Sequence, residues 1–163
     1  MLSRLFRTDL DYTLTWLRIV AGCVMFAHGA QKVLGWYGGD GYDAALSGFL
    51  SMGIPEPLAV IAILTEFLGA IALVVGLLGR VAAVGIAIEM VVAVALVHLP
   101  HGFFMNWMGA QAGEGFEYHI LLIAMAVPII VRGAGALSAD RWLEHWLYAH
   151  HLAADELRDA HAH

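Results

Sequence analysis

Four apolar runs, each close to the roughly 20 residues that an α-helix needs to cross a bilayer, constrain this chain more than any other feature. They extend over about 14–34, 57–76, 80–99 and 116–131, bounded by Gly, Pro or charged residues. The fourth is the shortest and carries Pro128, which predicts a kinked or drawn-in end. Composition agrees: 61% hydrophobic residues, 13% charged ones and a mean hydropathy of +0.76 leave too little charge for the polar surface of a soluble domain. The expected fold class is all-α: an integral membrane four-helix bundle over residues 1–137, followed by a cytoplasmic amphipathic helix and tail over 138–163.

Between the second and third runs stand only Leu77, Leu78 and Gly79, which predicts a tight helical hairpin with Arg80 at the membrane surface. The other connections, 35–56 and 100–116, are longer and rich in Gly and aromatics, including Trp36, Tyr37, Phe103, Phe104 and Trp107. Trp and Tyr at these levels suit the aromatic belt of the interface. Arg4, Arg7, Arg80, Arg132, Arg141 and Arg158 fall on one side of the four-span arrangement, with Arg18 close to it and Lys32 opposite. That asymmetry places both termini in the cytoplasm. The competing reading, a cleaved signal peptide with Arg4 and Arg7 as its basic region and Ala27 and Gly29 near the cleavage site, is opposed by Arg18 within its apolar core.

Much of the net charge of −6 lies in the loops and in one tail, with Asp140, Glu144, Asp155, Glu156 and Asp159, so nucleic acid is not an expected partner. The stretch SADRWLEHWLYAHHL reads as an interfacial helix capped by Ser138 or Asp140, with Leu143, Trp146, Leu147 and His150 on one face. Its histidines His145, His150 and His151, with His161 and His163 beyond, read as a solvated tail rather than a metal site. The single cysteine, Cys23, excludes an intramolecular disulfide or CxxC redox pair.

Ionisable residues within the spans are the candidates for function, because a charge at mid-membrane costs about 2.5–3.5 kcal/mol on insertion scales. Arg18, Met25 and Lys32 recur at seven-residue spacing and share a helix face, although Lys32 could instead snorkel to the interface. Glu66 and Glu89 are symmetric about the 76–79 hairpin and should reach similar depth. There they could share a proton, or each be paired separately with Arg18, Lys32 or backbone groups. A second group gathers toward the outer side: His28, Lys32, His98, His101, Glu117 and His119. It suits a polar head group, a proton or a metal, but Pro100 interrupts the helix that would align His98 with His101, so no metal site is assigned.

The runs LRIVAGCVMFAHGAQKVLG, LTEFLGAIALVVGLLGR, IEMVVAVALVHLPHGF, EYHILL and GAGALSADRWL, in this order across roughly Leu17 to Leu143, resemble the DoxX family of small four-helix bacterial membrane proteins. The family's recurrent polar positions then fall on Arg18, His28, Lys32, Glu66, Arg80, Glu89, His98, Glu117 and Asp140. The resemblance implies the bacterial cytoplasmic (inner) membrane and a redox-associated subunit that interacts with a quinone or other lipid-like ligand. Family members are similar to the membrane subunit of a thiosulfate:quinone oxidoreductase, and others are linked to a complex with a superoxide dismutase and a sulfurtransferase. A soluble sulfur- or oxidant-handling partner is therefore expected, since Cys23 alone cannot run a dithiol relay. In that reading Arg18, His28, Lys32, Glu66, Glu89, His98 and Glu117 bind ligand or handle protons, with quinone as the candidate cofactor. The alternatives are a small proton-coupled transporter, for which four helices would require a homo-oligomer, and a non-catalytic membrane anchor for a partner complex.

Overall fold

Asp11 stands immediately before an apolar stretch and opens the first long helix, its carboxylate accepting the N–H groups of Thr13 at 2.7 Å and Leu14 at 3.4 Å. In the computed structural model, which describes residues 6–149, this helix is α1, Tyr12–Leu34, ended by Gly35 at φ 68°. It is followed by α2 (Tyr42–Ser51), α3 (Glu56–Val75), α4 (Gly79–His101), α5 (Glu117–Arg132) and α6, which is helical from 139 to 149. Arg4, the acidic residues 155, 156 and 159, Arg158 and the histidines at 150, 151, 161 and 163 lie outside the described residues.

Helices α1, α3 and α4 are long and apolar enough to cross a membrane, whereas α5 has 16 residues and carries Pro128 within it. Helix α2 lies in the connection that its glycines and aromatics had marked only as an outer segment, and none of its residues is buried. Ser138 Oγ accepts the Arg141 N–H at 3.3 Å and so caps α6. Asp140, the other candidate cap, serves a different helix: its carboxylate accepts the N–H groups of Leu78 at 2.6 Å and Gly79 at 2.9 Å, at the start of α4. Leu78 is held there at φ 50°, a conformation that side chains disfavour. Burial pushes the Asp140 carboxyl above its ordinary range, against the pull of these two N–H donors.

One core runs through α1, α3, α4 and α5, built from Ala21, Met25, Ala70, Leu73, Ala83, Ile86, Leu122 and Ile129. Antiparallel pairing is visible in the contacts. Gly22 meets Val74 and Ala70 while Gly29 meets Phe67 and Glu66, and Gly79 meets Ala134 while the His98 ring meets that of His119. Most remaining large apolar side chains, such as Ile61, Leu68, Ile88 and Val91, point outward, as lipid-facing residues do.

The end that carries the turn of residues 76–78 is fixed by arginines. Arg18, 1% exposed, donates from Nε to Ala134 O at 2.7 Å, from Nη1 to Leu73 O at 2.7 Å and Val74 O, and from Nη2 to Leu137 O. Its fork thus ties α1 to the last turn of α3 and to the chain between α5 and α6. Gly76 allows this, since at φ 74° a Cβ there would lie 2.8 Å from Arg18 Cζ. Arg80 binds Ile130 O and Val131 O, and Arg132 pairs with Asp9 at 2.8 Å and Asp11 at 3.0 Å.

Arg18→Met should destabilise the folded protein by about 3–5 kcal/mol, because several buried carbonyls lose charge-assisted partners. Arg18→Lys should recover less than half, since a point charge cannot reproduce the fork; thermal unfolding in detergent checks both. A second expectation concerns Asp11, whose carboxyl is held below its ordinary range mainly by the Thr13 N–H. Because its folded pKa is depressed, its stabilisation is present above the ordinary carboxylate range and is lost as pH falls through the lowered value. Asp11→Asn keeps a cap and should flatten the acid limb of a stability–pH profile.

Candidate intramembrane polar site

At the other end of the helices the polar groups are arranged differently. Gly29 brings α1 against α3: a Cβ at this position would stand 2.6 Å from Phe67 Cα and 2.8 Å from Glu66 O, so only glycine permits the approach. Lys32, on the same face of α1, forms an ion pair from Nζ to Glu66 Oε2. Glu66 is 7% exposed while the Lys32 side chain is 29% exposed, so the carboxylate end of the pair is buried and the ammonium end is half-buried.

Glu66 lies in a π-type turn, Thr65–Gly69, and a second such turn, Val94–His98, ends at His98. Each inserts an extra residue into the helical repeat and re-aims the side chains around it, a feature frequent at functional sites. Glu89 on α4 comes within electrostatic reach of both Glu66 and Lys32, as the hairpin symmetry implied. Its Oε2 is buried and has no hydrogen-bond partner among the described residues.

The histidines form the adjoining part. The His98 and His119 rings pack at 4.1 Å between centroids, tilted by 44°, and the His98 Nδ1 lies 2.8 Å from Glu114 O. A carbonyl only accepts, so Nδ1 carries a proton in this contact and Nε2 is the ring nitrogen left for another partner. His119 is 6% exposed, and its Nδ1 is a second buried atom without a partner among the described residues. Tyr118 packs on His28 at 5.7 Å and points its hydroxyl at Met25 Sδ, 3.6 Å away. A shallow apolar groove between α4 and α5, lined by Ala87, Ile88, Val91, Val92 and Ile123, starts one helical turn from His119 along α5.

Of the residues singled out in the sequence, His28, Lys32, Glu66, Glu89 and His98 come together here, with His119 and Tyr118. Arg18 does not, because its guanidinium is committed to backbone carbonyls at the opposite end. Glu117 turns away into the 102–116 connection, where Oε1 accepts Met105 N at 3.1 Å and Trp107 Nε1 at 3.0 Å. His101 closes α4 in a tighter 3-10 turn with Leu99 and Pro100, and it packs on Gly113. Tyr118 was not singled out, although its place between Glu117 and His119 was a signal that adjacent helix positions cover different faces. Among the described residues no group of three or more His, Cys, Asp or Glu side chains is disposed to hold a metal.

Apolar helices of membrane length around a partly unsatisfied polar cluster define a helical membrane protein. The DoxX family model matches residues 13–99, more than half of the chain, and the chain belongs to that family. No curated protein and no solved structure matches it. The matched segment includes Lys32, Glu66, Glu89 and His98, while Tyr118 and His119 lie beyond it.

Lys32→Met should cost about 3–5 kcal/mol by leaving Glu66 buried and unpaired. Lys32→Met combined with Glu66→Leu should recover most of that loss. A double-mutant cycle on thermal unfolding that gave additive losses would show that the two side chains are not coupled.

Proposed function

We propose that this chain is the membrane subunit of a quinone-linked redox system, with the quinone head group received among His28, His98, His119 and Lys32. The observation that carries the reading is the pair of buried polar atoms without protein partners, Glu89 Oε2 and His119 Nδ1, beside a groove open toward the apolar surface. Buried polar atoms are nearly always satisfied, so two of them in one region point to a ligand or a proton. Quinone reduction takes two electrons and two protons in a dry site. His28, His119 and Lys32 N–H groups can donate to the carbonyl oxygens, His98 Nε2 can accept from a hydroxyl of the reduced ring, and the Glu66–Glu89 pair can pass protons between carboxyls.

The electrons come in this reading from a soluble sulfur- or oxidant-handling partner. The arrangement around it is a bundle of four spans over residues 1–137, in the bacterial inner membrane, with both termini cytoplasmic. Helix α6 then lies in the cytoplasmic interface, a placement supported by its exposed Trp142 and Tyr148 and by the docking of Glu144 to Thr8 N. On its own the chain would act as the membrane half of a complex, as a homo-oligomer or as a single copy.

Native mass spectrometry of protein released in mild detergent should show a retained quinone lipid. His98→Asn preserves a donor for the Glu114 carbonyl while removing Nε2, and it should lower retention about tenfold, equivalent to roughly 1.4 kcal/mol. Protein that keeps phospholipid but no quinone under those conditions would overturn the reading.

A further inference from the structure

Residues 102–116 join α4 to α5 at the end remote from Arg18, and several of their polar groups bond to one another within the segment while Gln111 and Glu114 stay exposed. Phe116 N donates to Gly102 O at 3.2 Å and Glu117 N to Phe103 O at 2.9 Å. The Glu117 carboxylate takes Met105 N and Trp107 Nε1, Glu114 Oε2 takes Asn106 N at 2.7 Å, and Asn106 Oδ1 takes Gln111 N at 2.9 Å. Outward the same segment presents Phe103, Phe104, Trp107 and Met108, which are 47%, 67%, 82% and 92% exposed. The indole N–H is already satisfied by Glu117, so Trp107 offers an apolar plate that needs no head-group partner.

The length of α5 says what meets this face. Its 16 residues reach about 24 Å at 1.5 Å per residue, against a hydrocarbon core of about 30 Å. One end is set at a water-facing level by Arg132, an exposed residue paired with Asp9 and Asp11. Glu117 at the other end then stops about 6 Å short of the opposite boundary, and the connection attached to it is drawn down to the level of the acyl chains.

We propose that residues 103–108 form a membrane wedge, with Phe104, Trp107 and Met108 inserted at the head-group–acyl boundary of the protein's own bilayer. The occupant of this apolar face is lipid, and the wedge holds the Glu114 carbonyl, and through it His98, at that boundary. This placement does not depend on the quinone reading.

The test uses the full chain with Trp16, Trp36, Trp142 and Trp146 replaced by Phe, reconstituted in phosphatidylcholine–phosphatidylglycerol vesicles whose acyl chains carry bromine near the head group. Trp107 emission should fall by more than half relative to unbrominated vesicles and respond weakly to aqueous acrylamide. Strong acrylamide quenching with no bromine effect would place the tip in water and overturn the proposal. Protection from both quenchers would do the same, because a second copy or another protein would then cover it. Met108→Cys in a Cys23→Ala background, carrying a nitroxide, gives a reading independent of the tryptophan replacements. Collisions with dissolved oxygen should exceed those with a water-soluble nickel chelate, and the reverse order, as expected for Gln111→Cys, overturns the wedge.

Discussion

The guanidinium of Arg18 is the interaction on which the rest of the molecule depends. A charged side chain buried at 1% exposure is tolerated because its donors meet carbonyls that would otherwise be orphaned. Leu73 and Val74 are in the last turn of α3, and Ala134 and Leu137 lie in the non-helical link after α5. Charge and backbone thus satisfy each other in a place that neither could occupy alone. Asp140, within electrostatic reach of Arg18, does the complementary work by accepting N–H groups at the start of α4. Together they bring the ends of α1, α3, α4 and α6 to one junction.

Much of this was legible in the sequence because membrane length and hairpin symmetry are long-period signals. Three of the four apolar runs coincide with helices long and apolar enough to cross a membrane, and Glu89 comes within electrostatic reach of Glu66 across the 76–79 turn. Arg18 was ambiguous for a physical reason: an intramembrane arginine looks the same in sequence whether its donors are free or committed to carbonyls far along the chain. Glu117 shared that ambiguity, since its loop partners Met105 and Trp107 become neighbours only when 102–116 folds back. Helix α2 escaped notice because Gly41 and Gly53 bracket a segment too short to span, and the π-type turns leave no periodic trace.

Glycine and the π-type turns convert the fixed junction into a positioned site at the other end. With α1 anchored by Arg18, the close approach at Gly29 determines which turn of α3 it meets, and that turn carries Glu66. Lys32, one turn further along α1, is then brought to its partner without needing a long search of side-chain rotamers. The widened turn at Val94–His98 does the same for His98, aiming its ring at His119 rather than along the course His101 takes after Pro100.

The two ends therefore differ in kind. At the arginine end the Arg18 donors all meet carbonyls, and Arg80 Nε is the one buried polar side-chain atom there without a hydrogen-bond partner among the described residues, so a ligand there would mostly have to displace a protein hydrogen bond. At the histidine end Glu89 Oε2 and His119 Nδ1 lack them, and a ligand or proton would gain an interaction without breaking one. Selection for stability alone favours filling such positions with apolar side chains of similar size, since an unsatisfied polar atom in a low-dielectric interior costs more than it contributes. Their presence beside a formed ion pair lowers stability locally, and the many hydrogen bonds around Arg18 offset part of that cost.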